Sequence, residues 1–273
     1  MNKCCMTANS LVELMRIAYQ IGSLWEKRWS PDPMRFWFRG VSNGKHTLNP
    51  GLLRGKLSPE EAMKLEYQIA VDFKTRGRPY FPSEMNNPWD AMFLMQHYGF
   101  HTRLLDWAES LIVAAYFAAR EIDSKTDGAV WMLAPQFLIN KQYNSEGTHI
   151  SAGHEYIKDY KICGPWENLD EFNKKIPMPV FPTHLDQRII AQCGRFTIHT
   201  FIPDMLERLS CEDALANKDA AFLQKIYIPA EAKPTIRQQC RMFGGVSEET
   251  IYPDLEGLAR SMRFEFKESN ILP

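Results

Sequence analysis

The chain has 273 residues, 45% hydrophobic, 24% charged and 12% aromatic; it can bury a substantial core and is wrong in composition for a disordered chain. Its formal net charge of −1 excludes a bulk electrostatic drive toward nucleic acid or an anionic membrane and leaves room only for a local basic groove. The six cysteines, Cys4, Cys5, Cys163, Cys193, Cys211 and Cys240, show no C-x-x-C spacing and are too sparse for a disulfide framework. They read as reduced thiols of a cytoplasmic protein, several of them buried as small hydrophobes. Met1–Ser10 lacks the basic and apolar regions of a secretory signal. The longest apolar run, Leu111–Ala119, is too short to span a bilayer.

In chain order, Leu11, Leu14, Met15, Ala18, Ile21 and Trp25 recur at helical spacing and predict an amphipathic first helix, ended by Pro31 and Pro33. Residues 1–30 are expected to pack as that helix on one domain covering residues 31–266. Arg35–Arg39 is short and aromatic, a buried strand closed by Gly40, and Ser42-Asn43-Gly44 is turn chemistry. Ser58-Pro59-Glu60-Glu61 opens a helix with a capping box, running to about Arg76. Asn87-Pro88 starts another, which Gly99 ends. Ala108–Arg120 is apolar on nearly every face and predicts a helix buried in the core. Ala129–Leu133, Phe196–Thr200 and Lys225–Ile228 read as strands; Pro203–Leu209, Pro234–Phe243 and Asp254–Arg263 read as helices. Residues 135–184 are polar and proline-bearing and read as an irregular insertion. The pattern is α+β, with helices concentrated early and strands later.

There is no phosphate-binding glycine loop, no G-x-S-x-G and no H-E-x-x-H. His97 and His101 have metal-ligand spacing, but Gly99 breaks the helix between them, so one buried and one exposed histidine is the simpler reading. Cys193 has no visible base to activate it, and a packed thiol is the simpler reading. Arg39, at the end of an aromatic strand, needs an anion or a buried ion pair, and Gly40 beside it admits a ligand or another backbone. The run Gln96–Trp107 gathers hydrogen-bonding side chains before the apolar helix; there Asp106 reads as a cap or a partner of Arg103. Asp254 suits an N-cap, with Glu256 in the first turn behind it.

Together these residues resemble the FRG domain family. Its name motif is Phe38-Arg39-Gly40. A leucine-proline-arginine stretch follows at Leu48-Asn49-Pro50-Gly51-Leu52-Leu53-Arg54, then Gln96-His97-Tyr98-Gly99 and Thr102-Arg103-Leu104-Leu105-Asp106-Trp107. Later matches are Gln192, Gly194, Phe196, Thr197 and Pro253-Asp254-Leu255-Glu256-Gly257. His101, Ala108 and Arg195 depart from the usual pattern. The family has been suggested to be distantly related to ADP-ribosyltransferases. That relation implies a single domain with a bent, split β-sheet holding NAD in a cleft, decorated by helices. It also implies cleavage of the nicotinamide–ribose bond and modification of a macromolecule or nucleotide, as a toxin or antiphage effector does, with an antitoxin as a partner. In that reading Glu256 is the catalytic carboxylate, with Asp254 second, and Arg39 grips the pyrophosphate. Tyr98 or Phe196 holds the nicotinamide, while Gly40, Thr102, Arg103, Gln192 and Thr197 complete the NAD site. No metal and no membrane is required. A module that binds nucleotides without chemistry is the alternative.

Overall fold

The computed structural model describes residues 6–29, 36–81, 87–122, 125–144, 160, 168–182, 187–217 and 220–268. Pro31 and Pro33, Cys4, Cys5 and Cys163, and most of 145–167 lie outside them. A short strand, β1 (Met6–Thr7), leads into helix α1 (Leu11–Trp29). Leu11, Leu14, Ala18, Ile21 and Trp25 form the buried stripe of α1, as the spacing predicts, joined by Ile17 and Gly22. Met15 sits off that stripe and is exposed. Trp25 anchors the helix by donating its indole N–H to Ala221 O at 3.0 Å.

Strand β2 (Trp37–Val41) runs through Gly40 instead of stopping at it. The reason is packing. A Cβ at Gly40 would fall 1.8 Å from the Ala114 carbonyl oxygen, so only glycine lets the backbone of a helix lie on the strand. That helix is α4 (Leu111–Ala118). Between them come α2 (Pro59–Gly77) and α3 (Pro88–His97), both with the predicted caps: Ser58 and Glu61 form a reciprocal box, and Asn87 accepts from Trp89 N. Gly99, at φ +79°, turns the chain out of α3.

The predicted helix 108–120 is two elements. Residues Leu104–Ala108 form strand β3, and α4 begins only after Ser110, whose hydroxyl accepts from Val113 N. Asp106 is therefore a strand residue and caps no helix. After β4 (Gly128–Leu133), the stretch expected to be irregular carries α5 (Pro135–Tyr143), α6 (Leu169–Asn173) and strand β5 (Met178–Val180). A proline inside a three-residue strand hid β5, and its place at the sheet edge is where proline is tolerated. The chain closes with α7 (Gln187–Ala191), β6 (Gly194–Ile198), α8 (Met205–Ala216), β7 (Leu223–Ile228), α9 (Lys233–Gly244), α10 (Glu248–Ile251) and α11 (Leu255–Glu268).

The strands make one seven-stranded mixed sheet, in the order β1-β7-β4-β2-β3-β6-β5. Strands thus come from both halves of the chain rather than mainly from the later one. Only β1–β7 is parallel. Most neighbours are zipped along their length: β2–β4 and β3–β6 run from Trp37↔Leu133 to Val41↔Ala129 and from Leu104↔Ile198 to Ala108↔Gly194. By contrast, β2 and β3 are joined through the single registered pair Phe38↔Ala108. The sheet is one sheet, but it has a seam.

The cores divide near that seam. One cluster packs α1, α4 and α9 around β2, β4 and β7, with Trp25, Trp37, Val130, Ile226 and Ile236. A second gathers Trp89, Phe93, Met178, Phe196, Ile198 and Phe201 around β5, β6 and α3. Each large apolar side chain buried in them contributes about 1.5–3 kcal/mol over exposure. No helix among the described residues is long and apolar enough to cross a membrane.

Candidate functional site at the sheet seam

Arg39 stands where β2 and β3 part. Its Nη1 donates to the backbone carbonyl of Asp106 at 2.6 Å and lies 3.6 Å from Asp106 Oδ2. Its Nε is buried without a hydrogen-bond partner. Burial pulls the Arg39 pKa down from its usual value, and the Asp106 charge works against that shift. The guanidinium remains charged at any ordinary pH, so the seam holds a partly desolvated cation with a buried donor to spare.

Asp106 is held from the other side. Gln96 Nε2 donates to its Oδ2 at 2.9 Å, while Gln96 Oε1 accepts from Thr102 Oγ1 at 2.5 Å. Thr102 Oγ1 in turn accepts from Leu104 N. This chain fixes which end of the Gln96 amide faces the carboxylate. The Asp106 side chain is still 54% exposed, so an oriented carboxylate meets solvent beside a partly desolvated cation.

Gln96, His97, Asp106, Gln192, Gly194 and Phe196 border a cavity of about 60 Å³ there. Asp106 and Phe196 are register partners on β3 and β6, which puts them on one face. Phe196 leans on Phe93, ring centroids 5.2 Å apart. Gln192 donates its Nε2 to Ile251 O at 3.3 Å. The structure thus brings Gln192 and Phe196, from the residues singled out in the sequence, to one cavity with Asp106 and Gln96; Arg39 touches Asp106 without lining that cavity.

Other residues singled out for NAD have structural partners. Thr102 is fully buried and orients Gln96. Gly40 carries the helix backbone described above. Arg103 is fully buried and donates Nε to Glu66 at 2.8 Å and Nη1 to His199 O at 2.6 Å. Its guanidinium lies 4.6 Å from the Phe201 ring centroid. Its carboxylate is therefore Glu66, not Asp106. Thr197 is buried and links Trp107 Nε1 to His199 Nε2, at 3.0 Å on each side. Tyr98 is exposed, edge-on to His97.

Glu256 is in the first turn of α11, as predicted, and Asp254 caps that helix by accepting from Gly257 N at 2.7 Å. The Glu256 side chain is exposed and paired with Arg260 at 2.8 Å. It lines neither the seam cavity nor the larger one described below. Cys193 is exposed with φ 49°, so it is not the packed thiol expected; Cys211 is exposed too, and Cys240 alone of the described cysteines is buried. Among the described residues no three of His, Cys, Asp and Glu are grouped to hold a metal.

Among the described residues His199 has no acidic partner, and it is buried next to Arg103 and Arg39. Burial first, then those two charges, push its pKa down to about 3. The unfolded chain takes up a proton near pH 6.5 that the folded chain refuses until about pH 3. Stability from this group is complete above 6.5 and falls by about 1.4 kcal/mol per pH unit as pH drops below it. Urea unfolding of wild type and His199→Gln between pH 7 and 5 should show the steeper fall in wild type. Equal slopes would mean that His199 protonates as readily in the fold as out of it.

Nothing local signals the Arg39–Asp106 and Arg103–Glu66 pairs, whose partners lie 67 and 37 residues apart. The alternation in Leu104-Leu105-Asp106-Trp107-Ala108 was the one available hint of a strand, and the apolar run after it masked that hint.

No curated protein and no solved structure matches the chain. The family model for the FRG domain matches residues 34–127, which take in β2, α2, α3, β3 and α4. Arg39, Gln96 and Asp106 lie inside that match, and Gln192, Phe196 and Glu256 lie beyond it. By this match residues 34–127 carry an FRG domain.

Proposed function

We propose that the chain is an NAD-consuming enzyme of the ADP-ribosyltransferase type, working over the seam between β2 and β3. The observation that carries this reading is the Arg39–Asp106 pair, a partly desolvated forked cation beside an oriented, half-exposed carboxylate. A sheet joined in its middle by one residue pair is the arrangement a split-sheet cleft needs.

In this reading Arg39 meets the pyrophosphate, whose charge offsets the cost of burying its own. Asp106 faces the ribose. As the bond from C1′ to the nicotinamide nitrogen breaks, its electron pair leaves with nicotinamide, and positive charge grows on the ribose next to the carboxylate. A nucleophile on the acceptor, or water, then adds at C1′ and gives its proton to solvent. Thr102 and Gln96 are positioning residues, because they act by aiming Asp106. The cavity of about 60 Å³ admits one small group, so the rest of the dinucleotide lies along the seam. Phe196 and Gln192 border that cavity. Asp106 takes the role that the resemblance assigns to Glu256, since Glu256 lies on an exposed turn with Arg260.

Arg39→Gln should weaken NAD binding by about 1.5–3 kcal/mol, the worth of a hydrogen bond to a charged group. Calorimetry on folded protein checks it, and unchanged affinity would place the pyrophosphate elsewhere. Nicotinamide release from NAD, followed by proton NMR, tests the chemistry. Release only with cell lysate indicates transfer to a macromolecule or nucleotide, and release without lysate indicates hydrolysis. Binding without release in either condition would leave a nucleotide-binding module.

A further inference from the structure

A second, larger cavity of about 230 Å³ lies between α4, α9, α10 and α11. None of the seam residues lines it. Tyr116, Met242, Val246 and Phe264 give it apolar and aromatic walls, and Arg237, Arg241 and Glu248 are its charged members; Arg241 is ion-paired with Glu265 at 2.5 Å.

Arg237 and Glu248 each keep hydrogen-bonding capacity toward the cavity. Arg237 donates Nη1 to Arg120 O at 2.7 Å, and its guanidinium lies 4.1 Å from the Phe264 ring centroid and 5.4 Å from that of Tyr116. Among the described residues no carboxylate pairs with it. Glu248 is buried, and its Oε1 accepts from Tyr116 OH at 2.7 Å. Its Oε2 is ion-paired with Arg260 Nε at 3.2 Å without a hydrogen bond, and its Oε1 lies 3.4 Å from Arg120 Nε. The half-buried Arg237 therefore offers a cation with donors to spare at a cavity with apolar walls, beside a buried carboxylate oxygen that can still accept a hydrogen bond.

We infer that this cavity is a binding site for a small aromatic acid. The ring lies between the aromatic walls, the acid meets Arg237, and a ring N–H or O–H is donated to Glu248. The volume sets the size: it lies below the range of about 300–1,000 Å³ typical of drug-sized sites, which suits one ring system and excludes a dinucleotide. The site is therefore separate from the NAD site proposed at the seam, and its test does not depend on that reading.

Three probes decide it by calorimetry: indole-3-acetate, 1-naphthaleneacetate, which lacks the ring donor, and indole, which lacks the acid. Indole-3-acetate should bind saturably, and each of the others about tenfold or more weakly. Arg237→Met keeps the side-chain length and removes the charge. It should lower indole-3-acetate affinity to that of indole and leave indole unchanged. Ser261→Leu, which fills the cavity from α11, should abolish all three. Circular dichroism melting shows whether each variant is folded, and Arg237→Met carries the test if Ser261→Leu is not. Absence of binding by all three probes at millimolar concentration would overturn the proposal. So would equal affinity of wild type and Arg237→Met for indole-3-acetate, or equal affinity of wild type for indole-3-acetate and indole.

Discussion

Arg103→Ala should cost about 3–5 kcal/mol of stability, a large part of the roughly 5–15 kcal/mol that holds a typical protein folded. The substitution strands Glu66, which is fully buried and already has an unpartnered Oε2. Burial pushes the Glu66 pKa up, and Arg103 is the group that opposes it. Without the arginine the carboxyl either stays charged at high cost or takes a proton. The loss also removes a donor to His199 O and the guanidinium packed on Phe172 and Phe201. Replacing both partners with apolar residues, Glu66→Leu with Arg103→Met, should recover much of the loss, because no buried charge is left alone. The exposed pair Lys174–Glu171 is the control: cutting it should leave stability close to that of wild type, because solvent screens it. Urea unfolding measures all three. A loss below about 1 kcal/mol for Arg103→Ala would mean that water reaches the pair.

Gly40→Ala should be comparably severe, at least about 3 kcal/mol. The added carbon would lie 1.8 Å from Ala114 O and 2.7 Å from Ala118 N. Both are backbone atoms of α4 or its end, so no side chain can swing aside. The helix must lift from β2, and with it the packing of Val113, Ala114 and Ala115 in the main core. The damage should appear as loss of cooperative unfolding, or as poor yield of folded protein. Near-normal stability with weakened NAD binding would instead make Gly40 a ligand contact. These two substitutions fall in the family's motifs, and both are expected to act on the fold.

What was legible in the sequence was local. The box at Ser58–Glu61, the cap at Asn87 and the break at Gly99 each depend on a few adjacent residues and stand where predicted. The buried stripe of α1 was readable for the same reason. The division of residues 104–118 was not, because β3 is buried on both faces apart from Asp106 and then runs into an equally apolar helix. Periodicity cannot separate two such elements. The seam was less legible still. It depends on which strands pair, and the Arg195–Glu109 ion pair beside it joins residues 86 apart. Motif position alone favoured Glu256 as the acid, and only the folded chain puts Asp106 beside Arg39.

In the proposed function Asp106, held by Arg39 and Gln96, is the carboxylate of an NAD-cleaving site. Nicotinamide release by folded wild type, Asp106→Asn and Glu256→Gln, compared by proton NMR with calorimetric NAD affinities, tests it most directly. The expected result is a loss of about a hundredfold or more in rate for Asp106→Asn, with NAD affinity within about threefold. Glu256→Gln should release nicotinamide at close to the wild-type rate. Silence from Glu256→Gln with normal release by Asp106→Asn would contradict the assignment and move the chemistry to the start of α11.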